Sequence, residues 1–187
     1  MSAIKEDPIA DILITERDDN PSGSCIVASI EGTRPILVEM QALTSQTVFG
    51  MPKRTANGFD YNRLAVLIAV LEKRAGLSIS NHDVYWNIAG GMKLSEPAID
   101  LGIITTVASA YKNIPIPQTT VVMGEVGLTG EVRRINLIEK RLKEAEKLGF
   151  KTCIIPENNK KGLKDDYKLD IIGVKNIGEA LRRLNIK

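Results

Sequence analysis

The chain has 187 residues, 43% of them hydrophobic, with Lys+Arg 25 against Asp+Glu 23 for a net charge of +2, so it can bury an ordinary core and its total charge selects no partner. Its two cysteines, Cys25 and Cys153, lie far apart in the apolar runs SCIVASI and TCIIP, and its lone histidine is His82. This excludes a metal set at zinc spacing and points to reduced core cysteines in an intracellular protein. No apolar run approaches the ~18 residues that span a bilayer and no secretory leader is recognisable, so a cytoplasmic protein without membrane association is expected.

Residues 1–10 read as a polar leader. A single domain over 11–187 is expected to begin with a strand-like segment that ends at the turn signal Asp19-Asn20-Pro21-Ser22-Gly23. SCIVASIEG and RPILVEMQAL, separated by Glu31-Gly32-Thr33, then predict an antiparallel hairpin. The polar, Gly- and Pro-containing stretch TSQTVFGMPKRTANG reads as a long loop. Asp60 is placed to cap a helix whose Leu64, Leu67, Ile68 and Leu71 recur at helical spacing until Gly76, with Arg63 on or near its exposed side. A strand at 84–89 leads to Gly90-Gly91, and a second helix is predicted from about Glu96 to Tyr111, with Pro97 in its first turn. TTVVMGEVGL reads as a strand, Gly127 to Gly130 as a turn and EVRRI as a short return. LIEKRLKEAEKL is amphipathic, with Leu142, Ala145 and Leu148 inward and Gly149 as its stop. A strand TCIIP, a lysine-rich connection, a strand DIIGV and a helix from Ile177 to Leu184 complete one α/β unit with a mixed sheet and packed helices.

The chemistry-bearing motifs are few. No GxxxxGK[ST] loop occurs, and GEVGLTG is not a dinucleotide fingerprint. His82 reads as a surface residue of a polar turn, which leaves no Ser-His-Asp set. The shape most like an active site is GGMKLSEPAIDLG at 90–102, a strand leaving through glycines into a helix start. There Ser95 reads as an N-cap rather than a nucleophile.

The segments EGTRPILVEMQAL, GFDYNRLAVLIAVLEKRAGL, NIAGGMKLSEPAIDLGI, MGEVGLTGEVRRI and LGFKTCIIPENN, in this order, resemble the C-terminal region of the bacterial RadA (Sms) family of DNA repair proteins. That region is similar in turn to the proteolytic domain of Lon proteases, an α/β fold related to the second domain of ribosomal protein S5. The resemblance places Ala98 of Pro97-Ala98-Ile99-Asp100 at the Lon nucleophile and Glu139 at the Lon lysine. A Ser-Lys dyad is therefore absent, and no peptidase is expected. Substitution by Ser95 or by Lys140 would need either to reach the site from a different position. The family also implies an upstream zinc motif and a RecA-type ATPase, none of which is present here. ATP, Mg and Zn are accordingly expected only in those upstream parts, with no cofactor and no metal in this segment.

The resemblance further implies a hexamer, contact with the recombination machinery through the parent protein, and a role as scaffold and DNA-contacting surface. Lys53, Arg54, Arg63, Lys93, Arg133 and Arg134 are the candidate DNA-binding cations, on loops or a helix where a side chain can reach a phosphate. The Lys93 and Arg133 loops are expected to approach each other. The same cations could instead form a solvated surface, with Glu96, Glu125 and Glu131 close by in sequence. Binding without base readout is expected, because nothing resembles a recognition helix and aromatic residues make up 4% of the chain. A pure assembly module and a residual peptide-binding or peptidase site remain the alternatives.

Overall fold

The computed structural model describes residues 19–164 and 166–186. The predicted leader at 1–10 and the strand-like segment after it lie outside the described residues. The predicted hairpin forms: β1 (Ser24–Glu31) and β2 (Arg34–Gln46) pair antiparallel from Ser24 opposite Gln41 to Glu31 opposite Arg34, with Gly32 in the turn at φ 62°. The stretch after it is not loop throughout. It holds a short strand, β3 (Arg54–Asn57), parallel to β4 (His82–Ile88), and β2 itself runs on to Gln46 because Met40 to Gln46 pair with β4. Neither extension has apolar alternation; both are defined by their partner strand, a long-range cause that local sequence does not carry.

Helix α1 (Tyr61–Ala75) starts as predicted, with the Asp60 carboxylate accepting the Arg63 amide at 2.7 Å, and stops at left-handed Gly76. Beyond β4 a 3-10 turn at Pro97–Ile99 leads directly into α2 (Asp100–Lys112). Ser95 does not cap this helix. The chain enters it through Glu96, without a side-chain cap, and the Leu101 amide is taken by the Gly124 carbonyl at 3.0 Å. β5 (Thr120–Val122) is parallel to β1. The strand predicted to run on through GEVGL breaks at Gly124, and β6 (Glu125–Val126) instead forms a separate two-stranded ribbon with β7 (Val132–Arg133). Then follow α3 (Ile138–Lys147), β8 (Thr152–Pro156), the single turn α4 (Glu157–Lys160), β9 (Asp170–Val174) and α5 (Ile177–Arg183).

The main sheet has seven strands in the order β3-β4-β2-β1-β5-β8-β9, with β2 antiparallel to both its neighbours and the other pairings parallel. Alternation along β1 divides the core. Cys25 and Val27 join a cluster with α1, α2 and α5 on one face, while Ile26 and Ala28 join Leu142 and Ala145 of α3 on the other. Both cysteines are buried thiols outside any disulfide, and burial pushes the Cys153 thiol up to about 12. Among the described residues no helix is long and apolar enough to cross a membrane.

Helix α2 is the centre of the packing. Its residues from Asp100 to Ser109 are all buried, so its polar side chains must be satisfied within the protein. The Thr105 and Thr106 hydroxyls donate to the Gly102 carbonyl at 3.0 and 2.6 Å. Gly102 is required by proximity: a Cβ there would stand 2.2 Å from Val27 Cγ1 and 2.6 Å from Met40 Cε. Gly102→Ala should therefore lower stability by about 1–3 kcal/mol through overpacking, although alanine is the better helix former by about 1 kcal/mol. Urea unfolding measures the balance, and an equal or raised midpoint would contradict the close contact.

Candidate functional site

The 90–102 segment is built from two left-handed glycines followed by an alternating loop. Gly90 and Gly91, at φ 76° and 67°, turn the chain out of β4 with open space around both. Leu94 is buried, its amide on the Gly58 carbonyl at 2.8 Å, while Lys93 and Ser95 on either side are exposed.

Glu96 then enters the interior. Its carboxylate accepts from the Ser29 hydroxyl at 2.6 Å, the Ile30 amide at 2.8 Å and both terminal nitrogens of Arg141 at 2.9 and 2.7 Å. Arg141 is completely buried, and its guanidinium also donates to the Ala28 carbonyl at 2.6 Å, the Asn136 carbonyl at 3.0 Å and the Asn136 side chain at 2.9 Å. Four residues on, the buried Asp100 accepts from Arg63 Nε at 3.2 Å, from Arg63 Nη2 and from the Val126 amide at 3.1 Å. Arg63 Nη2 also reaches the Val126 carbonyl at 3.0 Å. Between these carboxylates the Ala98 carbonyl accepts the Gly124 amide at 2.8 Å.

The Pro97–Ile99 turn is thus held at both ends by an arginine–carboxylate pair, each arginine coming from a different helix, and in the middle by backbone. Ala98, 4% exposed, presents only a methyl group to a hollow of about 280 Å³ that Glu96, Glu125, Arg134 and Asn136 also line. Glu139 stands in the first turn of α3, partly exposed, and Lys140 beside it is exposed. Among the described residues no group of three or more His, Cys, Asp or Glu side chains is placed to hold a metal ion.

The candidate cations do not form one patch. Arg63 is not on the free side of α1 but is turned across to Asp100. Arg54 is half-buried and donates to the carbonyls of His82 and, at 3.1 Å, Ile79. Arg133 is exposed but paired with Glu131 at 2.6 Å and Glu125 at 3.8 Å. With Thr129 and Arg133 beside it, the Glu131 carboxyl falls to about 2, so it is charged at neutral pH. Lys53, Lys93 and Arg134 are exposed. Lys53 precedes β3 whereas Lys93 follows β4, and since these strands are parallel the two lysines sit at opposite ends of that part of the sheet. Lys93 and Arg134 line separate hollows that share Glu96.

Sequence reasoning missed Ser29, Glu96, Asp100 and Arg141 as a framework. A signal existed for Arg141: it lies three residues after Ile138 and four before Ala145, on the inward face of an otherwise charged helix. An arginine there must find partners, because it stays charged.

Removing one partner of a buried pair leaves the other charge unmet. Arg141→Ala should cost about 3 kcal/mol or more of stability, measured by urea unfolding, and a loss below about 1 kcal/mol would make the pair a surface-type contact. The Glu96 pair also has a pH signature. Burial alone would raise the Glu96 carboxyl, but Arg141, Ser29 and the Ile30 amide outweigh it and hold the group below the ordinary carboxylate range. Its contribution is therefore present above the unfolded pKa of about 4.3 and disappears as the pH falls through the lower folded value. Asp100 runs oppositely, since burial lifts it above its ordinary range despite Arg63 and the Val126 amide. Between pH 7 and 3 the wild type should lose more stability than Glu96→Gln, the gap closing below about 4.3; parallel curves would contradict the assignment.

Three curated relatives are similar to this chain over most of its length. The DNA repair protein RadA of Listeria monocytogenes is 51% identical over 93% of this chain and 38% of its own length. RadA of Bacillus subtilis is 54% identical over 92% of the chain and 38% of its own length, and RadA of Streptococcus pneumoniae 49% identical over 92% and 41%. The chain therefore has strong homology to RadA DNA repair proteins while spanning about two fifths of the length of these curated relatives. Residues 37–159, which carry Arg63, Glu96, Ala98, Asp100 and Arg141, match the family model for subunit ChlI of Mg-chelatase, and the chain belongs to that family.

Proposed function

We propose that the chain is the non-proteolytic, Lon protease-like C-terminal domain of a RadA-type DNA repair and recombination ATPase. It acts as scaffold of a hexameric ring and as a sequence-independent DNA-contacting surface. The observation that carries this reading is the Ala98 turn, held by Arg141–Glu96, Arg63–Asp100 and the Gly124 amide around a side chain that has no reacting atom. A methyl group has no lone pair with which to attack a carbonyl, and the carboxylate of Glu139 cannot do the work of an ammonium in a Ser-Lys pair. Two ion pairs, each with one fully buried partner, hold the turn around such a position in shape, which is what a scaffold requires. On this reading ATP, Mg and Zn bind in other segments of such a protein, and the recombination machinery is met through the whole assembly.

DNA contact rests on the exposed cations Lys53, Lys93 and Arg134, none of which has a carboxylate ion-pair partner among the described residues. Weak sites of this kind gain strength when a ring repeats them. A second reading, an assembly module without DNA contact, is favoured by the engagement of Arg54, Arg63 and Arg133 within the chain itself.

Titration of a short duplex at several salt concentrations separates the two. Contact with Z phosphates predicts a slope of about −0.9Z in log K against log salt, and each cation removed from contact should reduce it by about 0.9. Lys93→Ala with Arg134→Ala should weaken binding and flatten the slope, whereas Arg63→Ala should lower stability first. No binding at low salt would leave the assembly module. Incubation with an unfolded protein should give no fragments, and cleavage lost in Ser95→Ala would overturn the non-proteolytic reading.

A further inference from the structure

Val48, Phe49 and Met51 project from the loop between β2 and β3 at 77%, 91% and 87% exposure. Single exposed apolar residues are ordinary, but a cluster on one tip marks a contact surface. The tip stands on a fixed base. The Thr47 hydroxyl and the Lys53 amide both donate to the Asp83 carboxylate at 2.8 Å, and the Thr47 amide reaches the Asn81 carbonyl at 3.0 Å.

The same chain carries an apolar hollow. On the α3 face of the sheet the packed apolar cluster stops at Leu37 of β2; Glu39 beyond it is buried, and from Gln41 onward the side chains of that face, with Tyr85 and Asn87 of β4 and Thr55 and Asn57 of β3, are exposed among the described residues. A hollow of about 350 Å³ opens there, lined among others by Ala42, Leu43, Thr55 and Tyr85, with Leu43 64% and Tyr85 39% exposed. Leu43 is opposite Tyr85, whereas the tip begins beyond the Gln46–His82 pair, about 10 Å further along the strands at ~3.3 Å per residue. With its base tied to Asn81 and Asp83, the tip is held away from its own hollow.

We propose that the tip of one copy docks into the hollow of the next, Phe49 and Met51 packing against Leu43 and Tyr85. The tip and the hollow are different surfaces, so the contact is heterologous and closes into a ring when its rotation allows. This rests on the scaffold reading and names the surface through which the scaffold assembles. Charge argues for a protein partner over a nucleic acid: Lys53 is exposed beside the tip, but Arg54 is engaged with backbone carbonyls and the Asp83 carboxylate sits at the base. A DNA wedge needs cations for the phosphates on both sides of the opened step.

Sedimentation velocity of the 187-residue chain over a range of concentrations tests the contact. The wild type should associate, and Phe49→Asp and Leu43→Asp should each weaken association at least ten-fold with unchanged thermal midpoints, since both side chains are exposed. Each variant keeps one intact surface, so mixing them should give a one-to-one heterodimer and nothing larger. Association of Phe49→Asp equal to wild type would overturn the contact and leave the scaffold reading standing. Monomeric variants that form no heterodimer on mixing would exclude a heterologous contact. Loss of duplex binding by Phe49→Asp with association intact would make the tip a DNA wedge instead. A wild type that stays monomeric at every concentration would overturn both the contact and the scaffold reading.

Discussion

A guanidinium that is always charged and has no exposure to water must be surrounded by acceptors, and the Arg141 side chain meets that condition by drawing three parts of the chain together. It takes the Ala28 carbonyl from β1, Asn136 from the lead into α3, and Glu96 from the turn before α2. Because α3 and α2 lie on opposite faces of the sheet, this one group ties the two layers to each other. The Glu96–Pro97–Ala98 turn has its place because of it. Arg63 does the same from the far side, joining α1, the start of α2 and the β6 backbone at Val126.

Such pairs are weak evidence for stability, since the cost of removing charges from water offsets much of the attraction. They are better understood as fixing one arrangement of the Ala98 turn against slippage. The position so defined presents a methyl group rather than a reacting atom. The exposed cations Lys93 and Arg134 lie on either side of Glu96, while the apolar tip at Phe49 leaves the sheet at the end marked by Gln46 and His82.

Much of the fold was legible because its causes are local. Alternating Val and Ile around Glu31-Gly32-Thr33 give the hairpin, Asp60 and Gly76 bound α1, and Gly149 ends α3. What was not legible depends on partners distant in sequence. β3 exists because β4 offers an edge, and the strand after β5 breaks because Gly124, where a Cβ would stand 2.8 Å from Val132 Cγ1, must pass close under α2. The cations show the same limit more sharply. Lys93 beside its glycines was readable as exposed, and Arg133 pairs with Glu131 two residues away, but Arg54 and Arg63 are engaged by carbonyls and a carboxylate that no local pattern brings near them. Ser95 was misplaced as a cap for the same reason, because the helix start is satisfied from Gly124.

We propose that this segment assembles and meets DNA, with the arginine-held turn around Ala98 keeping its shape. Light scattering of the purified chain, with and without a short duplex at low and moderate salt, tests it most directly. A particle of hexamer mass that gains the mass of the duplex at low salt and sheds it as salt rises is expected. A stable monomer whose mass ignores the duplex would contradict it.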